Sequence, residues 1–404
     1  MAGVFELPKA DSAAGRAAER GTLIVADLPI EGIWTQLSLW ESQALAAKLV
    51  RTKAEGLRDA PDDAKIQRKA ASLAYCLRNA REYLRGGQSA ITPRVVANYY
   101  GCMWLASAIL VANPSNDFNL EKLESITKSG HGLGNIADEH RAFPDNEFVY
   151  VRESGFFPEF LKAQGLSRAD LNAVKIAGAS VRDVAGLEPE RAGRLISVID
   201  ILARIPELKS TFEYVTDRPA LSFGIAHAFY NGQEEAEDRS ASGRFFSGPQ
   251  RSRDYTWVAL TGVAHLDQGF IEENGPPLTE HVLRTFAGHT AWEGKLAHPA
   301  GQLWWSHIKS YKSAMCGSSW IKPLLGHVDD PFSLNLMMLY ELSILARYRP
   351  AVWREIIEGA LDQYRALIEA YNQVVDRVIP ELALQAISGQ RVTATTSGSM
   401  LAPI

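Results

Sequence analysis

Cysteine is scarce: Cys76, Cys102 and Cys316 lie far apart, and none belongs to a C-x-x-C pair. That excludes a disulfide framework and a zinc knuckle, and it fits a reducing, cytoplasmic setting. The histidines at 265, 281, 298, 307 and 327 show no H-E-x-x-H or H-x-H pairing, so neither a metal site nor any other cofactor is expected. Charge of one sign is not in excess. A net charge of −5 argues against a nucleic-acid coat over the whole surface, while leaving room for a local basic patch. The first residues, MAGVFELPKADSAAGRAAERG, carry acidic side chains and lack the apolar run of a secretory signal. No internal repeat is visible.

What is there is a globular composition, 46% hydrophobic and 22% charged, over 404 residues, a length that suits two or three domains or one large one with insertions. Residues 1–30 read as a flexible arm. The spacing predicts one helix over 33–57 and a second over 64–85. The second has Ala71, Leu73, Ala74, Leu77, Ala80 and Leu84 in register and Gly86-Gly87 to stop it. Val95 to Ala112 is uncharged and long enough to be weighed as a membrane span. Thr92-Pro93 supplies an N-cap and a first-turn proline, and Asn113-Pro114 a stop. Asn98, Gly101 and Ser107 lower its hydrophobicity, so a buried central helix is favoured and no membrane is expected. A further helix over 120–128 completes an all-helical block at 31–142.

The pattern then changes. NEFVYVRESGFF alternates around a Ser-Gly turn and predicts a β-hairpin, while residues 180–183 open like a capping box ahead of a helix over 191–202. Strands are expected within 221–230 and 255–271, with a polar surface loop over 231–255 between them. Helices return over 331–385: the apolar run Leu334 to Arg347, then a longer helix ended by Pro380. That longer helix carries an apolar stripe from Trp353 through Ile357, Tyr364, Leu367, Tyr371 and Val374 to Val378. Residues 386–404 read as a disordered tail. The expected fold is mainly α (α+β): a helical bundle, a mixed middle region with short strands over 143–330, and a C-terminal helical pair.

Four stretches together resemble the YaaC-like family of bacterial proteins: LRNAREYLRGGQSAITPRVVANYYGCMWLASAIL, SGHGLGN, ILARIPEL and LNLMMLYELSILARYRPAVW. Their order and spacing match over most of residues 70–355. The first stretch is also similar to the helical HEPN superfamily, many of whose members bind or cut RNA. That resemblance implies, in catalytic members, an arginine just before the tyrosine pair and a histidine one turn after it. The arginine steadies the phosphate charge and the histidine helps to activate the ribose 2′-hydroxyl. Ala97 and Trp104 hold those positions here. Neither side chain can move a proton or grip a phosphate. ANYYGCMW therefore looks like a HEPN-type core helix without its catalytic pair, its tyrosines left to pack and to hydrogen-bond.

Other residues could carry chemistry. Arg284 and His289, in RTFAGH, keep the arginine–four–histidine spacing; on a helix they would share neither the same face nor opposite faces. In SGHGLGN, Gly130, Gly132 and Gly134 surround His131, and backbone amides there could cradle an anion; a turn capping the preceding helix is the plainer reading. Arg244, Arg251 and Arg253 alternate with Phe245, Phe246 and Tyr255, a pattern that grips phosphates and stacks on unpaired bases. Glu234, Glu235, Glu237 and Asp238 oppose that charge. Arg347 and Arg349 suit a helix C-terminus, and Arg347 could also meet an acidic partner.

The leading expectation is a non-catalytic cytoplasmic protein that binds RNA, single-stranded nucleic acid or a protein partner. One alternative is a metal-independent ribonuclease using Arg284 and His289, or His131. Another is a structural subunit that assembles, as a homo-oligomer or otherwise, through the C-terminal apolar stripe.

Overall fold

The computed structural model describes residues 3–5, 21–87, 90–166, 194–228, 254–286, 288–300 and 302–396. They form a mixed α/β fold with three sheets. The chain divides into two units, Met1–Ile201 with Phe332–Ile404, and Leu202–Pro331.

The first unit opens with strands β1 (Gly3–Phe5) and β2 (Gly21–Val25), then helices α1 (Pro29–Leu39), α2 (Gln43–Ala54), α3 (Asp63–Arg85) and α4 (Ile91–Ala112). The single helix expected over 33–57 is two helices, because the backbone turns extended at Ser42 before α2 begins. Asp62 caps α3 by accepting from the Lys65 amide at 2.6 Å. Helix α4 packs back on α3. Gly101 permits the approach, since a Cβ there would lie 2.4 Å from Leu84 Cγ. Helix α4 begins at Ile91 with Ala90 as its cap, so Thr92 is not the N-cap that its sequence context predicts. Its Oγ1 accepts from Trp353 Nε1 at 2.8 Å instead. Among the described residues α4 alone is long and apolar enough to cross a membrane, and 67% of its apolar window is buried inside the protein.

After α5 (Leu120–Thr127) comes β3 (Leu133–Ala137), so the block read as all-helical contains a strand. β3 pairs antiparallel with β4 (Glu147–Val151), and β4 with β5 (Ile196–Ser197). The hairpin expected at NEFVYVRESGFF is thus replaced: its strand pairs backwards with β3, and Ser154-Gly155 leads into α6 (Phe156–Ala163). Helix α7 (Val198–Leu202) follows β5; the capping box at 180–183 lies outside the described residues.

The second unit carries α8 (Lys209–Thr216), β6 (Ser222–His227), β7 (Tyr255–Thr261), α9 (Gln268–Asn274), β8 (Thr279–Phe286), β9 (His289–Ala297), β10 (Tyr311–Ser313) and β11 (Gly317–Ile321). Its six strands form an antiparallel sheet in the order β10-β11-β6-β7-β9-β8. Phe223, Ile225, Val258, Leu260, Trp292 and Leu296 alternate along three of them to fill one core. The strand expected over 255–271 stops at Thr261, and Asp267 caps α9 in its place.

The chain returns to the first unit with α10 (Pro331–Tyr348), α11 (Pro350–Glu358), α12 (Asp362–Ser388) and strand β12 (Arg391–Thr395). The long helix read as starting at Trp353 is split at Gly359, and Pro380, expected to end it, lies within α12. Burial of Ile379, Ala383, Leu384 and Ile387 around that proline outweighs the ~3 kcal/mol that an interior proline costs. The apolar stripe is consumed here: Trp353, Leu367, Tyr371, Val374 and Val378 are buried. β12 pairs in parallel with β2, so residues 21–25 and 391–395 are strands rather than parts of a flexible arm and a disordered tail. Their Val, Ile and Thr content suits extended backbone.

Candidate functional site

Helix α10 places Tyr340, Ser343 and Arg347 at i, i+3 and i+7, one stripe of the helix. That stripe meets Tyr99 and Tyr100 of α4. Tyr99 is fully buried. Its ring lies 5.4 Å from Tyr100, 5.8 Å from Tyr340 and 5.5 Å from His131. Arg347 is held on three sides. Its Nε donates to the Ser343 carbonyl at 3.0 Å, Nη2 to Ser343 Oγ at 3.2 Å, and Nη1 to the Tyr100 hydroxyl at 3.0 Å. The guanidinium also stands 5.6 Å from the Tyr100 ring and 4.9 Å from that of Tyr348. Tyr83 of α3 continues the series, its ring 5.6 Å from Tyr100. Tyr83 is 41% exposed and Tyr348 66% exposed, so both ends of this ladder reach solvent.

His131 is half-buried where the ladder meets the turn before β3. Burial, and secondarily the charge of Arg347, hold its pKa below the usual value, so the imidazole stays neutral near pH 7. Burial raises the phenols of Tyr99 and Tyr340, keeping both protonated. Neither the Tyr99 hydroxyl nor His131 Nδ1, both buried, has a hydrogen-bond partner among the described residues.

Beside the ladder lies an acid cluster that sequence reasoning missed. Asn135 on β3 donates its amide to both carboxylate oxygens of Glu341 at 2.7 Å. Glu147 on β4, fully buried, accepts from Arg349 at 2.9 Å. Burial, then the neighbouring Glu147, pushes Glu341 up to about 8. Burial also raises Glu147, against the opposing pull of Arg349. One signal could have found this cluster: Glu341 is the one charge in the apolar run from Leu334 to Ala346.

The predicted residues distribute unevenly. His131 and Arg347 join the tyrosines of α4. The glycines beside His131 answer to packing: a Cβ on Gly132 would lie 2.3 Å from Pro158 Cδ, and one on Gly134 2.1 Å from the Tyr150 ring. Gly130 and His131 turn their carbonyls to the Phe156 and Phe157 amides at the start of α6, at 3.1 and 2.9 Å. Arg349, read as a helix-end charge, is instead bonded to Glu147. Trp104 is half-buried and meets Tyr75 of α3 edge-on at 5.5 Å.

Arg284 and His289 belong to the other unit and sit on no helix, for RTFAGH is the β8–β9 hairpin, turned at Gly288 with φ +81°. Arg284 lies 3.1 Å from Glu293 and 5.5 Å from the Trp257 ring. Arg244, Arg251 and Arg253 lie outside the described residues. Among the described residues no three His, Cys, Asp or Glu side chains are grouped to hold a metal.

Chemically, the ladder offers a guanidinium with unused N–H donors between two tyrosine faces, next to a neutral imidazole. Comparison with curated proteins and with solved structures returned no match. The family model described as YaaC-like Protein matches residues 38–387, and this chain belongs to that family.

Proposed function

We propose that this YaaC-like protein is a non-catalytic cytoplasmic binding protein, and that it holds single-stranded RNA across the Tyr83–Tyr100–Arg347–Tyr348 ladder of a HEPN-like helical bundle. The ladder itself carries the reading. Solvent-reaching tyrosine faces such as those of Tyr83 and Tyr348 accept unpaired bases whatever their sequence, and an arginine fixed between two tyrosine rings meets the backbone phosphates. Arg152, exposed and close enough to act on the Tyr340 phenol, with its guanidinium 3.6 Å from where a Cβ on Gly130 would sit, adds a second cation on the His131 side. Ala97 and Trp104, at the positions where a HEPN nuclease needs its acid–base pair, support binding without cleavage.

The test is fluorescence anisotropy of a labelled single-stranded RNA at several salt concentrations. Binding should weaken with salt, and Arg347→Ala should cost about tenfold in affinity and lower the salt slope by about one. Unchanged affinity in that variant removes the ladder from consideration. His131, set against Tyr99 and under the influence of Arg347, favours a second reading, a metal-independent ribonuclease. Full-length RNA recovered after prolonged incubation speaks for binding alone; cleavage abolished by His131→Ala would replace it. Assembly through the C-terminal apolar stripe has no support, because the first unit buries most of that stripe.

A further inference from the structure

A polar concavity lies in the first unit, near the N-terminal end of α3. Lys65, Arg68 and Lys69 fall on one face of that helix, at i, i+3 and i+4. With Asp117, Phe118 and Asn119 they line a cavity of about 200 Å³. Lys69 forms its floor and is only 1% exposed. Its ammonium donates to the Val111 carbonyl at 3.3 Å, Asn116 Oδ1 at 2.8 Å and the Phe118 carbonyl at 3.0 Å. All three acceptors are neutral. The hydrogen bonds of this buried cation are met, but among the described residues no carboxylate is bonded to it.

The one acid in the lining, Asp117, is engaged elsewhere. It accepts from Lys65 at 2.7 Å, with its own side chain 85% exposed. Arg68, exposed at the rim, forms no ion pair among the described residues. Three cations thus face one carboxylate that is free to swing into solvent. Burial, and next the charge of Lys65, lower the Lys69 ammonium to about 8. A buried cation held at such a cost is stabilised by any anion that reaches it.

We infer that this cavity binds a phosphate-sized oxyanion, with Lys65 and Arg68 as direct donors and Lys69 as the counter-charge beneath. Its volume is below the ~300–1,000 Å³ of pockets that enclose whole drug-sized ligands. The bound group is therefore a phosphate, either free or at the end of a larger molecule that projects past Asp117. This inference does not depend on the ladder.

Inorganic phosphate is titrated into the full chain by calorimetry, at an ionic strength held constant with chloride. Saturable binding is expected that chloride does not reproduce. Arg68→Ala and Lys65→Ala should each weaken it about tenfold, the size of one charge-assisted hydrogen bond. Asp117→Asn should tighten it. Two short oligonucleotides, with and without a 5′-phosphate, identify the source. Preference for the phosphorylated one assigns the site to a nucleic-acid terminus; equal behaviour assigns it to free phosphate or a small phosphoester. No saturable binding of inorganic phosphate by the folded protein overturns the inference. So does undiminished binding in both Arg68→Ala and Lys65→Ala, whose exposed or half-buried side chains can be removed without emptying the core.

Discussion

Arg284 and His289 are near neighbours in sequence, whereas His131 and Arg347 come from the two separate stretches of chain that make up the first unit. The near pair sits on a β-hairpin. Arg284 is drawn to Glu293, two positions further from the turn than its own cross-strand partner Ala291, and His289 is left exposed at the other end. The distant pair is gathered onto one aromatic cluster, with Arg347 fixed by Ser343 and Tyr100 and His131 set against Tyr99. The contrast teaches that a motif's spacing has meaning only on the element it was defined for. Five positions on a helix and five positions around a hairpin turn send side chains to different places. What distinguishes the second pair is a rigid supporting shell: three hydrogen bonds to one guanidinium, and tyrosine rings on two sides of it.

The sharpest way to break this comparison is to remove the shell. Tyr99→Ala should destabilise the protein by about 3–5 kcal/mol, as large aromatic truncations in cores do. Tyr99→Phe should be nearly neutral, within about 0.5 kcal/mol, because its hydroxyl has no partner to lose. Urea unfolding of both variants checks this. A strongly destabilised Tyr99→Phe would mean that the hydroxyl is bonded in solution.

Next in size is the pairwise contrast in binding. Arg347→Ala should lose about tenfold in RNA affinity, or ~1.4 kcal/mol, while Arg284→Ala should lose none. The reverse result would move the ligand to the hairpin.

The acid cluster beside the ladder gives a pH test. The Glu341 carboxyl rises from an ordinary 4.5 to about 8, so across that window the native state keeps a proton that the unfolded chain has released. Its contribution is fully present below about 4.5 and is lost as pH rises through about 8. Glu341→Gln has no such titration, so its stability relative to the unmodified protein should rise between pH 5 and pH 8. A constant difference across that range would show that Glu341 is ionised throughout. The smallest effect belongs to the exposed hairpin: His289→Ala should change stability by less than ~0.5 kcal/mol and leave RNA binding as it was.

The parts of the fold legible in sequence were those specified locally. Helices α3, α4, α5 and α10 lie within a few residues of where the sequence predicted them, α3 from its periodic apolar face and α4 and α10 from apolar runs too long for a strand. β6 and β7 were legible from their β-branched and aromatic runs. Other expectations failed wherever partnership decides. Strand β4 was recognised, but its partner was read as the segment after it rather than β3. Strands β2 and β12 lie far apart in the chain, and they hold shape by pairing with one another. Pro380 reads as a helix end by its own chemistry and is overruled by the burial around it.

The candidate site divides the same way. By itself the sequence determined that the tyrosine pair of α4 is flanked by Ala97 and Trp104, neither of which can move a proton whatever the fold. Glu341, the one charge in so apolar a helix, was a signal of a buried group in need of a hydrogen-bond partner, and it went unread. Only the tertiary structure decided that Asn135 would be that partner, and that Arg347 and His131 would stand beside the tyrosines. Those contacts join helices and a hairpin far apart along the chain. No local preference encodes them; they follow from which faces the packed core brings together.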